Sequence, residues 1–353
     1  MSLTPKTVPT GAIRYNTDSN KMECFNGTKW MQVAVSSPDL NGGTRGFHNG
    51  GRTTGAYQNV LQYYTISTAG NAVDFGTMVV GGSQNFEQGA FSSKTRGICF
   101  GGRPSNTHSN VMEYVTMSSL GNSQNFGDLT DKPTQPSGFS NSTRGVRCGG
   151  IKQAGGGSTS YGVNIMDSVT IATIGDAVDF GDMSNGASGG QCSSSSTRGF
   201  IMGGMNPHNL SNGASALLTN SIQYVTIATT GNSQDFGDCV IITKVAAQAS
   251  NATRTVAGGN SYPDTNNGGF LIQQMTNTTL GNSTEFGNLT QARNSMGAGS
   301  SSTRAVFTGG YRPGYSSVMD YVNFATTGDA VDFGDLNSSN GYNNGFSNGH
   351  GGL

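Results

Sequence analysis

The sequence predicts an all-β chain: a six-bladed β-propeller over residues 44–353, closed by strand exchange between the two ends of that region and preceded by a small three-stranded β meander. Three observations predict it. A unit about fifty residues long recurs six times, the last dozen residues match the beginning of a unit that goes no further, and 3.6-residue apolar spacing is missing from a chain with 55 Gly in 353 residues.

Each unit opens on a Thr-Arg step, at Arg45, Arg96, Arg144, Arg198, Arg254 and Arg304. A short strand follows and ends at a Gly pair, from Gly50-Gly51 to Gly309-Gly310. Glycine suits such an end because the chain must turn sharply there. Next comes a β-branched and aromatic stretch such as Asn110-Val111-Met112-Glu113-Tyr114-Val115-Thr116-Met117, a second strand by composition. A Phe-Gly step closes the unit, at Phe75, Phe126, Phe180, Phe236, Phe286 and Phe333. The innermost strand falls in small-residue stretches such as 187–195 and 293–301, as the crowded centre of a ring requires. Four strands per fifty residues make one propeller blade.

In four units, 15 positions separate the second residue after Phe-Gly from the next Arg. The same step from Leu336 reaches Gly351, and Gly345-Phe346-Ser347-Asn348 repeats Gly138-Phe139-Ser140-Asn141. Residues 341–352 are therefore expected to complete the blade that begins at Thr44. Closure of this kind hides the edge strands that would otherwise invite aggregation.

Composition excludes several classes. A net charge of −1, with 11% of residues charged, lacks the basic stripe that a nucleic-acid binder needs. Apolar runs of about four residues fall far short of the ~20 of a membrane-spanning helix. Residues 1–9 carry no apolar signal segment, and five scattered cysteines form no disulfide framework, so synthesis in a cytoplasm is expected. No catalytic, metal or cofactor constellation is predicted. Asp-Phe-Gly occurs four times at blade spacing, which makes it scaffold rather than a kinase motif. The four histidines are isolated. The repeated arginines are expected to pair with the aspartates flanking Phe-Gly (Asp74, Asp128, Asp179, Asp182, Asp235, Asp238, Asp332 and Asp335) and so to lock a polar seam.

The Gly pair, the tyrosine that follows it and the blade-sized period resemble the kelch repeat. A kelch unit carries a Trp after its tyrosine; here the only Trp is Trp30, and the repeated Phe is expected to fill the slot between blades. The resemblance implies a fold and little about function.

Loop length locates a candidate recognition face. The loop after the Gly pair varies most, from 311–316 in the last unit to 151–163 and 205–219 in the third and fourth. Variable loops on a rigid ring form a binding surface. Arg103, Tyr161, His208, Tyr262, Asp264, Tyr311, Arg312 and Tyr315 are its candidate residues, suited to sugar or protein by their aromatic faces and charged forks.

Residues 1–33 differ from the rest, and 34–43 read as a linker. The stretch 10–30 predicts three strands with turns at 17–20 and at Asn26-Gly27, the latter a two-residue hairpin signal. About thirty residues bury too little to fold alone, so Ile13, Tyr15, Phe25 and Trp30 are expected to pack on copies of themselves, on the propeller or on another protein. Gly11-Ala12-Ile13-Arg14-Tyr15-Asn16 with Asn26-Gly27-Thr28-Lys29-Trp30 resembles a module of bacteriophage tail fibres and related virion proteins. That resemblance implies a virion structural protein, a homo-oligomer (a trimer among its candidate states) whose module docks to other virion proteins. With the loop face it points to a host-surface glycan or protein as the propeller's partner. The competing expectation is an architectural capsid or tail piece that binds no receptor.

Overall fold

The computed structural model describes residues 8–17, 21–32, 44–79, 87–104, 107–153, 160–185, 189, 191–206, 217–242, 244, 246–260, 269–311 and 313–353. Two compact units divide the chain, Met1–Gly42 and Gly43–Leu353. The expected linker, 34–43, lies outside the described residues. Among the described residues no helix is long and apolar enough to cross a membrane.

In the first unit, Ile13–Asn16, Lys21–Phe25 and Trp30–Gln32 form an antiparallel sheet in chain order. The second connection departs from the expected two-residue hairpin. Phe25 pairs with Trp30, so four residues make the turn, and the Asn26 side chain accepts from the N–H groups of Thr28 and Lys29. An Asx turn of this kind competes with the tight Asn-Gly turn and wins here.

The second unit is all-β, built from four-stranded antiparallel sheets of the kind that make up a β-propeller. Six such sheets are described. One runs Gly89–Ser92, Arg96–Phe100, Val111–Thr116, Gln124–Asp128 from its inner to its outer strand. Its counterpart in the first repeat takes its inner strand, Asn344–Ser347, from the far end of the sequence: Phe346 pairs with Phe47 and their rings stack 4.9 Å apart.

Each repeated Phe is the extra residue of a β-bulge between the third and fourth strands. Asn125 faces Glu113 and Gly127 faces Met112, leaving Phe126 unpaired and turned inward. There Phe126 and Leu129 pack against Val169 and Ile171 of the next sheet, filling the inter-sheet slot as expected. The glycine of this step is required by a close approach. A Cβ on Gly127, at φ +149°, would fall 2.3 Å from the carbonyl oxygen of Gly175.

Among the described residues the repeated arginines reach backbone carbonyls and not the eight aspartates that the sequence pairs with them, and that expectation is corrected. Arg96 donates to the carbonyls of Ile171 and Ala172 at 3.0 and 2.8 Å, and Arg144 to those of Ile227 and Ala228 at 2.8 and 3.0 Å. Arg45, Arg198, Arg254 and Arg304 make the same reach to a neighbouring sheet. Four of the six guanidinium groups also lie over the tyrosine of their own third strand, 4.7 to 4.9 Å from its centroid. The eight flanking aspartates are exposed to water, where a charge gains little from a partner. Buried ion pairs occur elsewhere: Arg147 with Asp131 and Asp167, and Arg293 with Asp320.

A serine on each inner strand hydrogen-bonds to the next sheet. Ser140 donates to the Ser92 carbonyl, Ser194 to Ser140, Ser250 to Ser194, Ser300 to Ser250, Ser347 to Ser300 and Ser92 to Ser347, all at 2.7 to 2.8 Å.

Candidate functional site

The long loops after the Gly pairs of the third and fourth repeats begin as two-stranded ribbons, Ile151–Gln153 with Ser160–Gly162 and Met205–Asn206 with Leu217–Leu218. Of the eight candidate residues, Tyr311 and Tyr315 come together, with ring centroids 5.1 Å apart and nearly edge to face. Tyr342 joins them 5.8 Å from Tyr311. With Arg52, Pro313 and Gly314 these tyrosines border a cleft of about 370 Å³. Arg52 lies over the Tyr57 ring at 5.5 Å. Burial pushes the hydroxyls of Tyr315 and Tyr342 above the ordinary tyrosine pKa, while the Arg52 charge pulls the other way.

Arg103 stands apart from that cluster, with a guanidinium nitrogen 4.0 Å from Glu87. Tyr161 is described only as backbone, paired with Lys152. His208, Tyr262, Asp264 and Arg312 lie outside the described residues. Sequence reasoning missed Arg52, Tyr342 and Glu87. Arg52 carried a signal, since it directly follows the Gly50-Gly51 pair; Glu87 and Tyr342 both stand two positions ahead of an inner strand.

That position has a special backbone. Glu87, Gln135, Ser295 and Tyr342 adopt φ of 59°, 51°, 53° and 58°, a left-handed conformation unusual for residues with side chains, and Gly189 stands at the equivalent place with 62°. Hydrogen bonds tie them together. The Glu87 N–H donates to Tyr342 O, that of Gln135 to Glu87 O, and that of Tyr342 to Ser295 O.

These residues rim a cavity of about 40 Å³, lined also by Asn343. Glu87 Oε1 accepts from Gln135 Nε2 at 2.8 Å, but Oε2 is buried without a hydrogen-bond donor among the described residues. Its side chain is 9% exposed. Burial pushes the Glu87 carboxyl above the usual carboxylate range, against the pull of Gln135, Arg103, Arg52 and Lys244. Gln135 Oε1 and Asn343 Oδ1 are also buried without a donor. The Asn343 amide orientation is set by its nitrogen, which donates to His48 Nε2 and Asn340 Oδ1, both at 2.9 Å.

The other end of the inner strands is filled by residues 350–353. His350 Nε2 donates to Ser92 O at 3.0 Å and the Gly351 N–H to Ser250 O at 2.8 Å. A Cβ on Gly352 would sit 1.9 Å from Ser140 O, so only glycine fits this approach. Among the described residues no three His, Cys, Asp or Glu side chains gather as a metal centre would need.

In the first unit the four expected residues separate onto two faces. Phe25 is buried, with its ring 5.3 Å from Trp30, and Arg14 lies over Trp30 at 4.2 Å while pairing with Glu23 at 2.8 Å. Ile13 and Tyr15 sit on the opposite face, where their register with Cys24 and Met22, and that of Cys24 with Met31, makes one apolar surface. Ile13 is 64% exposed and Tyr15 57%.

Fold and site together define an all-β protein of β-propeller type with a tyrosine- and arginine-lined cleft. Its structure is similar to that solved for YjhT, with a TM-score of 0.61 and 12% sequence identity over 76% of this chain and 88% of that one. At that identity the likeness shows the fold alone. No protein-family model and no curated protein matches the sequence.

Proposed function

We propose that the chain is a non-enzymatic bacteriophage virion protein of the fibre or adhesin type, with a six-bladed, kelch-like propeller closed by strand exchange between the ends of the 44–353 region. Six repeats, six described sheets and a serine hydrogen-bond series that returns to its start support the blade count and the closure. The N-terminal module docks to other virion proteins or joins copies of the chain; its exposed Ile13, Tyr15, Met22 and Met31 support that role.

The cleft bordered by Arg52, Tyr311, Tyr315 and Tyr342 carries the adhesin reading. Clustered aromatic rings beside a guanidinium on a rigid scaffold suit a glycan or a protein surface. The full chain should therefore be retained by host cells or their lipopolysaccharide, and Tyr315→Ala should reduce retention. A chain that ignores both cells and extracted glycans argues instead for an architectural decoration protein. One observation favours that second reading: Leu120, Ile174 and Leu280 recur as exposed apolar residues, each directly before the glycine of its blade's turn, and could meet a neighbouring capsid or tail subunit.

A further inference from the structure

We propose that the cavity between Glu87, Gln135 and Asn343 receives the terminal neutral sugar of a glycan, whose hydroxyl groups donate to these three side chains while Tyr342 and the adjoining tyrosines hold the rings that follow. This inference rests on the adhesin reading and names its ligand. Three buried oxygens belong to residues that line one cavity: Gln135 Oε1 and Asn343 Oδ1 have no hydrogen-bond donor among the described residues, and Glu87 Oε2 has only the Arg103 guanidinium at 4.0 Å, beyond hydrogen-bonding distance. Leaving a buried acceptor unsatisfied is costly, so the missing partner is a donor. A cation fits poorly, because Arg103, Arg52 and Lys244 already place positive charge around Glu87. An anion fits worse, because every unsatisfied atom is an acceptor and one belongs to a carboxylate. A neutral polyol supplies donors without charge.

Size and access narrow the choice. About 40 Å³ admits the hydroxyl-bearing edge of one sugar rather than a chain. Residues 350–353 occupy the opposite end, so a glycan enters by its tip and does not thread through. Tyr342 borders both this cavity and the 370 Å³ cleft, which places the two on either side of one side chain. Its left-handed backbone, shared with Glu87 and Gln135, keeps side chains at a place where glycine would be easier, as expected if those side chains serve a ligand.

The test passes the full-length chain over neutral and acidic oligosaccharides immobilised through their reducing ends. Neutral sugars should be bound. Glu87→Gln, which keeps the shape but replaces an acceptor by a donor, and Gln135→Ala should each weaken that binding at least tenfold, with urea midpoints close to the parent's. Neutral sugars bound equally well by both variants, or lost only with Tyr315→Ala, would overturn the cavity's role and leave adhesion standing. Capture of acidic sugars alone, or of host cells only through a protease-sensitive component, would overturn the ligand class while adhesion again stands. Failure to bind either sugars or host cells would defeat both readings.

Discussion

Arg198 donates to the carbonyls of Asn277 and Thr278, each at 3.4 Å, and lies 4.9 Å over Tyr224. Losing a charge-assisted bond and a ring contact at a half-buried position should cost about 1–3 kcal/mol. Arg198→Ala is expected to lower the urea unfolding free energy by that amount, and a neutral result would show that the reach across sheets contributes nothing. A second residue-scale prediction concerns pH. Burial holds the His350 and His48 imidazoles at a pKa of about 4, below the ordinary 6.5. The neutral His350 ring donates through Nε2 to Ser92 O while its Nδ1 accepts from the Gly352 N–H, and a second proton would break the latter bond. Because the folded chain binds these protons more weakly than the unfolded one, the stability they confer is complete above pH 6.5 and declines as the pH falls toward 4. Each should cost roughly 2 kcal/mol by pH 4.5. Urea midpoints at pH 7.5 and 4.5 measure the drop, and His350→Asn should remove about half of it.

Among the elements, the bulge that carries each Phe-Gly step joins the most functions: it turns a phenylalanine into the slot between sheets and lets a glycine touch the next turn. Gly127→Ala should destabilise more than a glycine exchange in open space such as Gly121→Ala, since a Cβ at Gly127 meets backbone and one at Gly121 meets nothing within 4 Å. Thermal melts of the two variants make the comparison; equal midpoints would contradict it. The Phe-Gly mark was legible because aromatic and glycine recur in order. The seam residues were not. Thr-Arg and the aspartates share a period, so sequence paired them by charge, whereas the guanidinium reaches carbonyls whose positions carry no side-chain signature. The binding candidates were legible only in part for a related reason: Glu87 and Tyr342 depend on a left-handed backbone that residues of this type do not advertise. The N-terminal sheet allows a separate prediction. If its apolar face of Ile13, Tyr15, Met22, Cys24 and Met31 joins copies of the chain, Tyr15→Asp should shift the full chain to monomer in light scattering, while an exchange at the exposed Lys29 should not.

For the whole molecule, local antiparallel pairings build each sheet, and one long-range pairing joins the two ends of the repeat region. A Phe47–Phe346 stack, a hydrogen bond from the Arg45 N–H to Asn348 Oδ1 and the Ser347–Ser300 contact all depend on that single strand. The proposed ring should unfold as a unit, because freeing the strand Asn344–Ser347 exposes the edge of the sheet it completes, at Arg45–Thr53. Hydrogen exchange of the full chain, read at the amides of Asn344–Ser347, tests this most directly. Protection comparable to that of Gly89–Ser92, an inner strand whose neighbour is continuous in sequence, is expected. Exchange of 344–347 at the rate of a free peptide, with Gly89–Ser92 still protected, would contradict it.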